Sequence, residues 1–382
     1  MRGRYAAWVY GSAMVDVDKE HTSRAVRAVA SVRQPRSVDS PAVDSVDRSG
    51  SAGTRVLVVG LGLMGGSLAM ALRASGRYVV DGFDIDGRSL DRAVALGAID
   101  RAARSLDEAV RADLVVVATP LLAMSSVFAE LGRCLKGARC GRRTVVTDVG
   151  SAKGYVLALA REHLASEVPF VGGHPMAGSE HSGVEHASPG LLKGCRYILT
   201  PAEWAQDADV RAVMEACEAA EAVPQITDPD EHDAMVAATS HLPLIMAACL
   251  AQVVGRRSTG HPSIWDLAAG GFRDTTRVAS GDPEMGAGML LANASQVLEA
   301  LDEFQRELDE IRRLIATTQV GPNPAGVEAV GQFLVQARAS RQAWLDRRRF
   351  AHRVDRVDNM ETPETREVSR REGVCPWTSP IH

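Results

Sequence analysis

The stretch Val56-Leu57-Val58-Val59-Gly60-Leu61-Gly62-Leu63-Met64-Gly65-Gly66-Ser67 decides the fold. A β-branched run turns into Gly-x-Gly-x-x-Gly, and good helix formers follow from Leu68 to Leu72. That order is the phosphate-binding turn of a dinucleotide fold. Gly60 permits the tight turn, Gly62 lets the backbone approach a pyrophosphate, and Gly65 lets helix and strand pack closely. The helix then points free N–H groups and its positive dipole end at the phosphates. Leu63 and Met64 lie within this turn and count with the cofactor-binding residues.

The glycine pattern alone is weak. It gains weight from Tyr78-Val79-Val80-Asp81-Gly82-Phe83-Asp84, a second strand ending in an acid at the expected distance. Asp84 ends that strand and is the choice for the ribose hydroxyl; Asp86 is second, and Asp81 falls too early. A carboxylate there repels a 2′-phosphate, which favours NAD over NADP, although Arg88 keeps the second cofactor open.

Working outward, short strands alternate with helical stretches from Arg55 to about Thr227. Leu114–Ala118 ends at Thr119-Pro120, Thr144–Asp148 at Val149-Gly150-Ser151, and Pro169–Gly172 at Gly173-His174-Pro175; Arg196–Leu199 closes the series. Continuous apolar runs of this length fit parallel strands covered on both faces, so a Rossmann-type doubly wound α/β sheet is expected. Ligands of such sheets bind beyond the carboxyl ends of the strands, where Thr119, Pro120, Ser151 and His174 should gather.

After Thr227 only helices are expected. Asp228-Pro229-Asp230-Glu231 and Asp282-Pro283-Glu284 both carry cap, proline and acid in the order of a helix start. The second precedes what reads as the longest helix, with one apolar stripe through Leu290, Ala294, Val297, Leu301, Phe304, Leu308, Ile311 and Ile315. A small all-α domain with this much apolar face gains by pairing with its own copy. The expected segments are 1–53 as a disordered extension, 54–227 for cofactor, 228–316 for dimerisation and substrate, and 317–382 as a partly helical polar tail.

Bulk properties agree. The chain of 382 residues is 46% hydrophobic with a formal charge of −5, which offers no basic footprint for nucleic acid. No run approaches the ~18 apolar residues of a membrane helix. Six scattered cysteines lack a C-x-x-C spacing and read as thiols of a reducing, cytoplasmic compartment, with no metal site. The arginine-rich start resembles a transit peptide, but about six acids argue against one.

Four segments carry chemistry. Ser151, in Asp148-Val149-Gly150-Ser151-Ala152-Lys153-Gly154, either caps a helix or offers its hydroxyl to a ligand or an imidazole. His174, in Gly172-Gly173-His174-Pro175-Met176-Ala177-Gly178-Ser179-Glu180, sits on a rigid loop and titrates near working pH, as a general base must. His181 and His186 lack that setting and read as surface residues. In Ser240-His241-Leu242-Pro243 the proline cannot donate to the Thr239 carbonyl, so the helix bends or opens beside His241. In Gly270-Gly271-Phe272-Arg273-Asp274-Thr275-Thr276-Arg277, one guanidinium can be held by Asp274 while the other forks onto an anion; a plain salt-bridge cluster is the alternative.

Taken together and in this order, from about Arg55 to Ala316, these motifs resemble the prephenate dehydrogenase family of tyrosine biosynthesis, which includes arogenate dehydrogenases. The resemblance implies NAD-dependent oxidative decarboxylation of prephenate to 4-hydroxyphenylpyruvate and carbon dioxide by a homodimer. It implies that His174 is catalytic, that Ser151 hydrogen-bonds near it, and that His241 and Arg277 line the substrate pocket. Many members have histidine where this chain has Leu244, and residues 317–382 show no βαββαβ regulatory pattern. Arogenate, with an amine for the keto group, is the nearest rival substrate. A β-hydroxyacid dehydrogenase would need a lysine in its helical domain, and none follows Lys193. A non-catalytic NAD sensor would have no need of the His174 loop or Arg277.

Overall fold

The computed structural model describes residues 53–136, 143–164, 167–179, 181–316 and 323–358, and the compact unit begins at Gly53. The expectations for the first ~50 residues, and for those beyond 358, lie outside the described residues.

Eight strands form one sheet: β1 (Thr54–Val59), β2 (Tyr78–Phe83), β3 (Arg101–Ala102), β4 (Leu114–Val117), β5 (Val145–Asp148), β6 (Phe170–Pro175), β7 (Arg196–Pro201) and β8 (Val223–Ile226). Their order is β3-β2-β1-β4-β5-β6-β7-β8, so the chain reverses direction across the sheet between β1 and β4. Strand β1 shows why the apolar runs are continuous. Val56 and Val58 join the core on one face, with Leu68, Leu72 and Val80, while Leu57 and Val59 join the other, with Phe128, Leu131 and Phe170. From Val56 to Val59 both faces are dry, so these four positions are apolar, while Thr54 and Arg55 at the strand's start are exposed.

One strand corrects the sequence reading. β7 runs antiparallel to β6, pairing Gly173 with Leu199 and Pro175 with Tyr197, and β8 lies parallel to β7. Composition marked Arg196–Leu199 as a strand but carries no information on direction. The intervening helices are α1 (Leu63–Ala74), α2 (Gly87–Ala95), α3 (Met124–Leu135), α4 (Lys153–His163) and α5 (Asp207–Ala219).

The helical part opens with α6 (Pro229–Val236), where the Asp228 carboxylate accepts the N–H groups of Asp230 and Glu231. A cap of this kind contributes about 1 kcal/mol. A π-helical turn, Ala237–His241, leads into α7 (Leu242–Ser258). The break expected at Pro243 is therefore taken up one turn earlier, by a widened turn ending at His241. Joined, Pro229–Ser258 is long and apolar enough to span a membrane by length and composition, which a search for an unbroken apolar run misses because His232, Asp233 and His241 interrupt it. Those three side chains are buried among the described residues.

Next come α8 (Gly270–Thr276), α9 (Pro283–Ala292), α10 (Ala294–Ala316) and α11 (Pro324–Asp358). The single long helix expected from Asp282 onward is thus two, divided at Asn293, and the longest helix is α11 with 35 residues. Along the stripe Val297 is buried, while Leu308 and Ile315 stay exposed in one chain, as does Leu298 beside it.

Candidate active site

The Gly-rich turn sits at the carboxyl end of β1. Gly60 has φ of +94°, and a Cβ there would lie 2.7 Å from the Ala118 carbonyl, so only glycine fits between β1 and the end of β4. A Cβ on Gly65 would overlap the Gly60 carbonyl oxygen, which fixes α1 directly against the turn. Among the described residues a Cβ on Gly62 would meet nothing within 4 Å, and no side chain caps α1, which starts at Leu63 and Met64. An open cradle in front of an uncapped helix N-terminus is the shape a dinucleotide's pyrophosphate requires.

At the end of β2, Asp84 accepts the Leu61 N–H at 2.7 Å and the Asp86 N–H at 2.8 Å, joining the acid to the glycine turn. The two alternatives have other work. Asp81 pairs with Arg101 at 2.6 Å, and Asp86 caps α2, where the Arg88 N–H and guanidinium hold its carboxyl below the usual range. Beyond β4, the Thr119 hydroxyl is buried with no partner among the described residues, and Pro120 follows it. An orphaned polar atom beside the glycine turn fits a ligand amide or hydroxyl.

His174 lies in β6 next to its carboxyl end, two strands from β4. Its backbone is pinned from below: Asp148 accepts the Gly173 N–H at 3.0 Å, and Lys153 Nζ bonds both Asp148 (2.5 Å) and the Gly173 carbonyl (2.6 Å). This ion pair is fully buried. A Cβ on Gly173 would lie 2.5 Å from the Asp148 carbonyl, which is why glycine precedes the histidine. Nδ1 of His174 lies 2.8 Å from Nε2 of His232, whose Nδ1 lies 2.8 Å from Asp233 Oδ1. Burial, then the charge of Lys153 and the neighbouring rings of His232 and His241, push His174 well below the ordinary imidazole range. It is therefore neutral at neutral pH.

Ser151 does not cap α4; Ala152 holds that position. The helix start is instead satisfied from α6, where Asp233 accepts the N–H groups of Lys153 (2.7 Å) and Gly154 (2.8 Å). Because His232 occupies Nδ1 of His174, any contact from Ser151 has to be made at Nε2.

His241, at the end of the π turn, is fully buried. Asn293 Nδ2 donates to the Asp233 carbonyl at 2.8 Å and lies 3.3 Å from His241 Nδ1. Nδ1 is thus an acceptor, so the proton of neutral His241 is on Nε2, which has no partner among the described residues. Burial keeps this imidazole uncharged as well, with Asp233 opposing the shift. Arg277 begins the 3-10 turn Arg277–Ser280 after α8 and is exposed in one chain, while Arg273 pairs with Asp274 at 2.9 Å. The structure thus joins His174 to the His241 neighbourhood through His232, Asp233 and Asn293. His181 and His186 stack on each other at the surface.

Sequence reasoning missed His232, Asp233, Asn293 and the buried role of Lys153. A signal existed for the first two: a His-Asp pair one turn beyond the Asp228 cap, on the face that also buries Val236.

Comparison with known proteins adds a family. The model of the prephenate dehydrogenase nucleotide-binding domain matches residues 68–225, and that of the prephenate dehydrogenase dimerization domain matches residues 228–322. Prephenate dehydrogenase of Bacillus subtilis (strain 168) is 37% identical over 263 residues, covering 68% of this chain and 70% of that one. The crystal structure of prephenate dehydrogenase from A. aeolicus in complex with hydroxyphenyl propionate and NAD+ is similar at a TM-score of 0.69 and 31% identity, covering 78% of this chain and 99% of that one. Arogenate dehydrogenase from Synechocystis is similar at a TM-score of 0.64 and 29% identity, covering 76% and 100%.

Proposed function

The chain belongs to the prephenate dehydrogenase family, and from that premise we propose a specific division of labour in an NAD-dependent oxidative decarboxylation of prephenate to 4-hydroxyphenylpyruvate and carbon dioxide. The observation that carries it is a neutral His174 near the carboxyl end of β6, in the sheet whose β1 turn makes the open glycine cradle.

When bound, NAD supplies the hydride acceptor. Gly60, Gly62, Leu63, Met64 and Gly65 hold its pyrophosphate, Asp84 its ribose, and Thr119 and Pro120 border the nicotinamide end. His174 takes the proton of the ring hydroxyl at Nε2 as the hydride leaves the same carbon. Loss of carbon dioxide then aromatises the ring to a phenolate, which regains the proton from His174, so the base is neutral again after each turnover. Ser151 bridges Nε2 and the substrate hydroxyl. The unpartnered Nε2–H of His241 donates to a substrate oxygen, and Arg277 anchors a carboxylate.

The substrate is prephenate rather than arogenate, and NAD rather than NADP is used. The functional unit is a homodimer through the helical part, supported by the match to a dimerization domain and by the exposed Leu298, Leu308 and Ile315. We place it in the cytoplasm without a nucleic-acid or membrane partner. The formal charge of −5 and the buried His232, Asp233 and His241 along Pro229–Ser258 support that reading. NADH absorbance at neutral pH with prephenate and with arogenate, each with NAD and with NADP, tests the whole proposal. Fastest turnover on arogenate, or with NADP, would reverse the respective choice.

A further inference from the structure

His174 has two ring nitrogens, and only one can be the base. The structure decides which through groups that belong to a different part of the chain. Asp233 is an acceptor by its surroundings: besides His232, its carboxylate accepts the backbone N–H of Lys153 at 2.7 Å and of Gly154 at 2.8 Å. Both of its oxygens are thereby engaged as acceptors. His232 Nδ1 must then carry a proton to donate to Oδ1, which leaves its Nε2 with only a lone pair. Facing that lone pair at 2.8 Å is Nδ1 of His174, which must in turn carry the proton. Nε2 of His174 is consequently the free acceptor. The reverse arrangement would need a proton on Asp233 against two N–H donors, or a second proton on the buried His232 ring.

We propose that His232 and Asp233 are positioning residues that lock His174 in its Nδ1–H tautomer and steady the imidazolium formed during turnover. The inference rests on His174 being the base. When Nε2 takes the substrate proton, His174 carries both protons, and its Nδ1–H shares the new charge with the Asp233 carboxylate through the His232 ring. No bond to His232 or Asp233 breaks, and when the phenolate regains its proton the original tautomer returns. The carboxylate is itself held in place. Asn293 bonds its main-chain carbonyl, and the α4 N-terminus bonds both side-chain oxygens. His232 is 1% exposed and His174 half-buried, so water does not compete for the inner link.

Asp233 also completes α4, so replacing it would confuse folding with catalysis; His232 is the residue to change. His232→Phe keeps the ring volume and removes the acceptor, while His232→Gln keeps a side-chain oxygen able to accept from Nδ1–H. In the intact protein, His232→Phe should lower kcat about 100-fold, the lower range of a general base's contribution, with the prephenate KM within about threefold of the parent. His232→Gln should recover at least about tenfold of that loss, whereas a packing role would favour phenylalanine over glutamine. His232→Phe with near-normal kcat, or His232→Gln no better than His232→Phe, overturns the relay. Should either variant misfold, 15N spectra of histidine-labelled parent protein decide: a His174 ring protonated at Nδ1 supports the relay, and one protonated at Nε2 refutes it. His174→Asn run alongside separates the two layers. An active His174→Asn refutes the base itself, whereas an inactive one beside a fully active His232→Phe refutes only the relay.

Discussion

Replacing Gly62 with alanine should separate cofactor binding from folding. Gly62 has φ of −77° and ψ of −159°, which an L-residue adopts, and an added Cβ touches nothing within 4 Å. The substitution therefore removes freedom from the unfolded chain without a native clash, which stabilises by about 0.4–1 kcal/mol. The melting temperature should hold or rise by about 1–3 °C. The same methyl protrudes into the cradle where the pyrophosphate approaches the α1 N-terminus. Losing one hydrogen bond to a charged phosphate costs about 1.5–3 kcal/mol, or a roughly 10- to 150-fold higher KM for NAD. Gly65→Ala is the contrasting case. Its Cβ overlaps the Gly60 carbonyl, so α1 must move, costing about 1–3 kcal/mol of stability as well as affinity. Thermal melts without ligand and NAD titrations at saturating prephenate measure both quantities. A Gly62→Ala protein that melts several degrees lower, or whose NAD KM is unchanged, would refute the cradle.

Other outcomes follow from the same geometry. His174→Asn should lose about 100-fold or more of kcat while the prephenate KM changes little; near-normal turnover would remove His174 from the mechanism. Arg277→Ala should chiefly raise the prephenate KM in steady-state assays, and an unchanged value would count against the anchor. The working form of His174 is neutral and its pKa is depressed, so kcat should stay level as pH falls through about 6.5 and decline only below it. Stability has the same sign. His174 and His241 both bind protons more readily when unfolded, so their contribution is complete above about pH 6.5 and is lost as pH falls through their lower folded values; urea melts across that window check it. Lys153→Met leaves Asp148 buried without its ion-pair partner and should cost about 3–5 kcal/mol by urea denaturation.

What could be read in the sequence was what a backbone demands locally. Gly60 is glycine because its φ is positive, Asp228 precedes Pro229 because a helix starts there, and Pro243 announces a disturbed turn next to His241. The two-residue β3 and the edge strand β8, whose Val-Pro-Gln-Ile is broken by Pro224 and largely exposed, carry too little apolar pattern to be seen. The reversal of β7 was invisible because an apolar run marks a strand and not its direction. Asn293 was hidden inside an apolar stripe, since the reason for it lies across space, at the Asp233 carbonyl and the His241 ring. The capping alternative for Ser151 could not be dismissed from sequence for the same cause: the carboxylate that completes α4 is 80 residues away in the chain.

That distant carboxylate explains why the cofactor-binding half cannot make the site alone. The sheet supplies His174, and Lys153 with Asp148 fix its backbone, but among the described residues the hydrogen bond to the ring's Nδ1 and the side-chain acceptor for the α4 start both come from α6. The Asp233 main chain is in turn held by Asn293, at the joint between α9 and α10, where the apolar stripe offered to a second copy begins. A displacement of α10 on losing its partner would reach Asp233 through one amide. Asn293→Leu, which keeps the stripe apolar but drops both of its bonds, should therefore lower kcat without weakening the dimer. Sedimentation and steady-state kinetics on the same sample would show it; a dissociated protein, or one with normal kcat, would break the link between the joint and the ring.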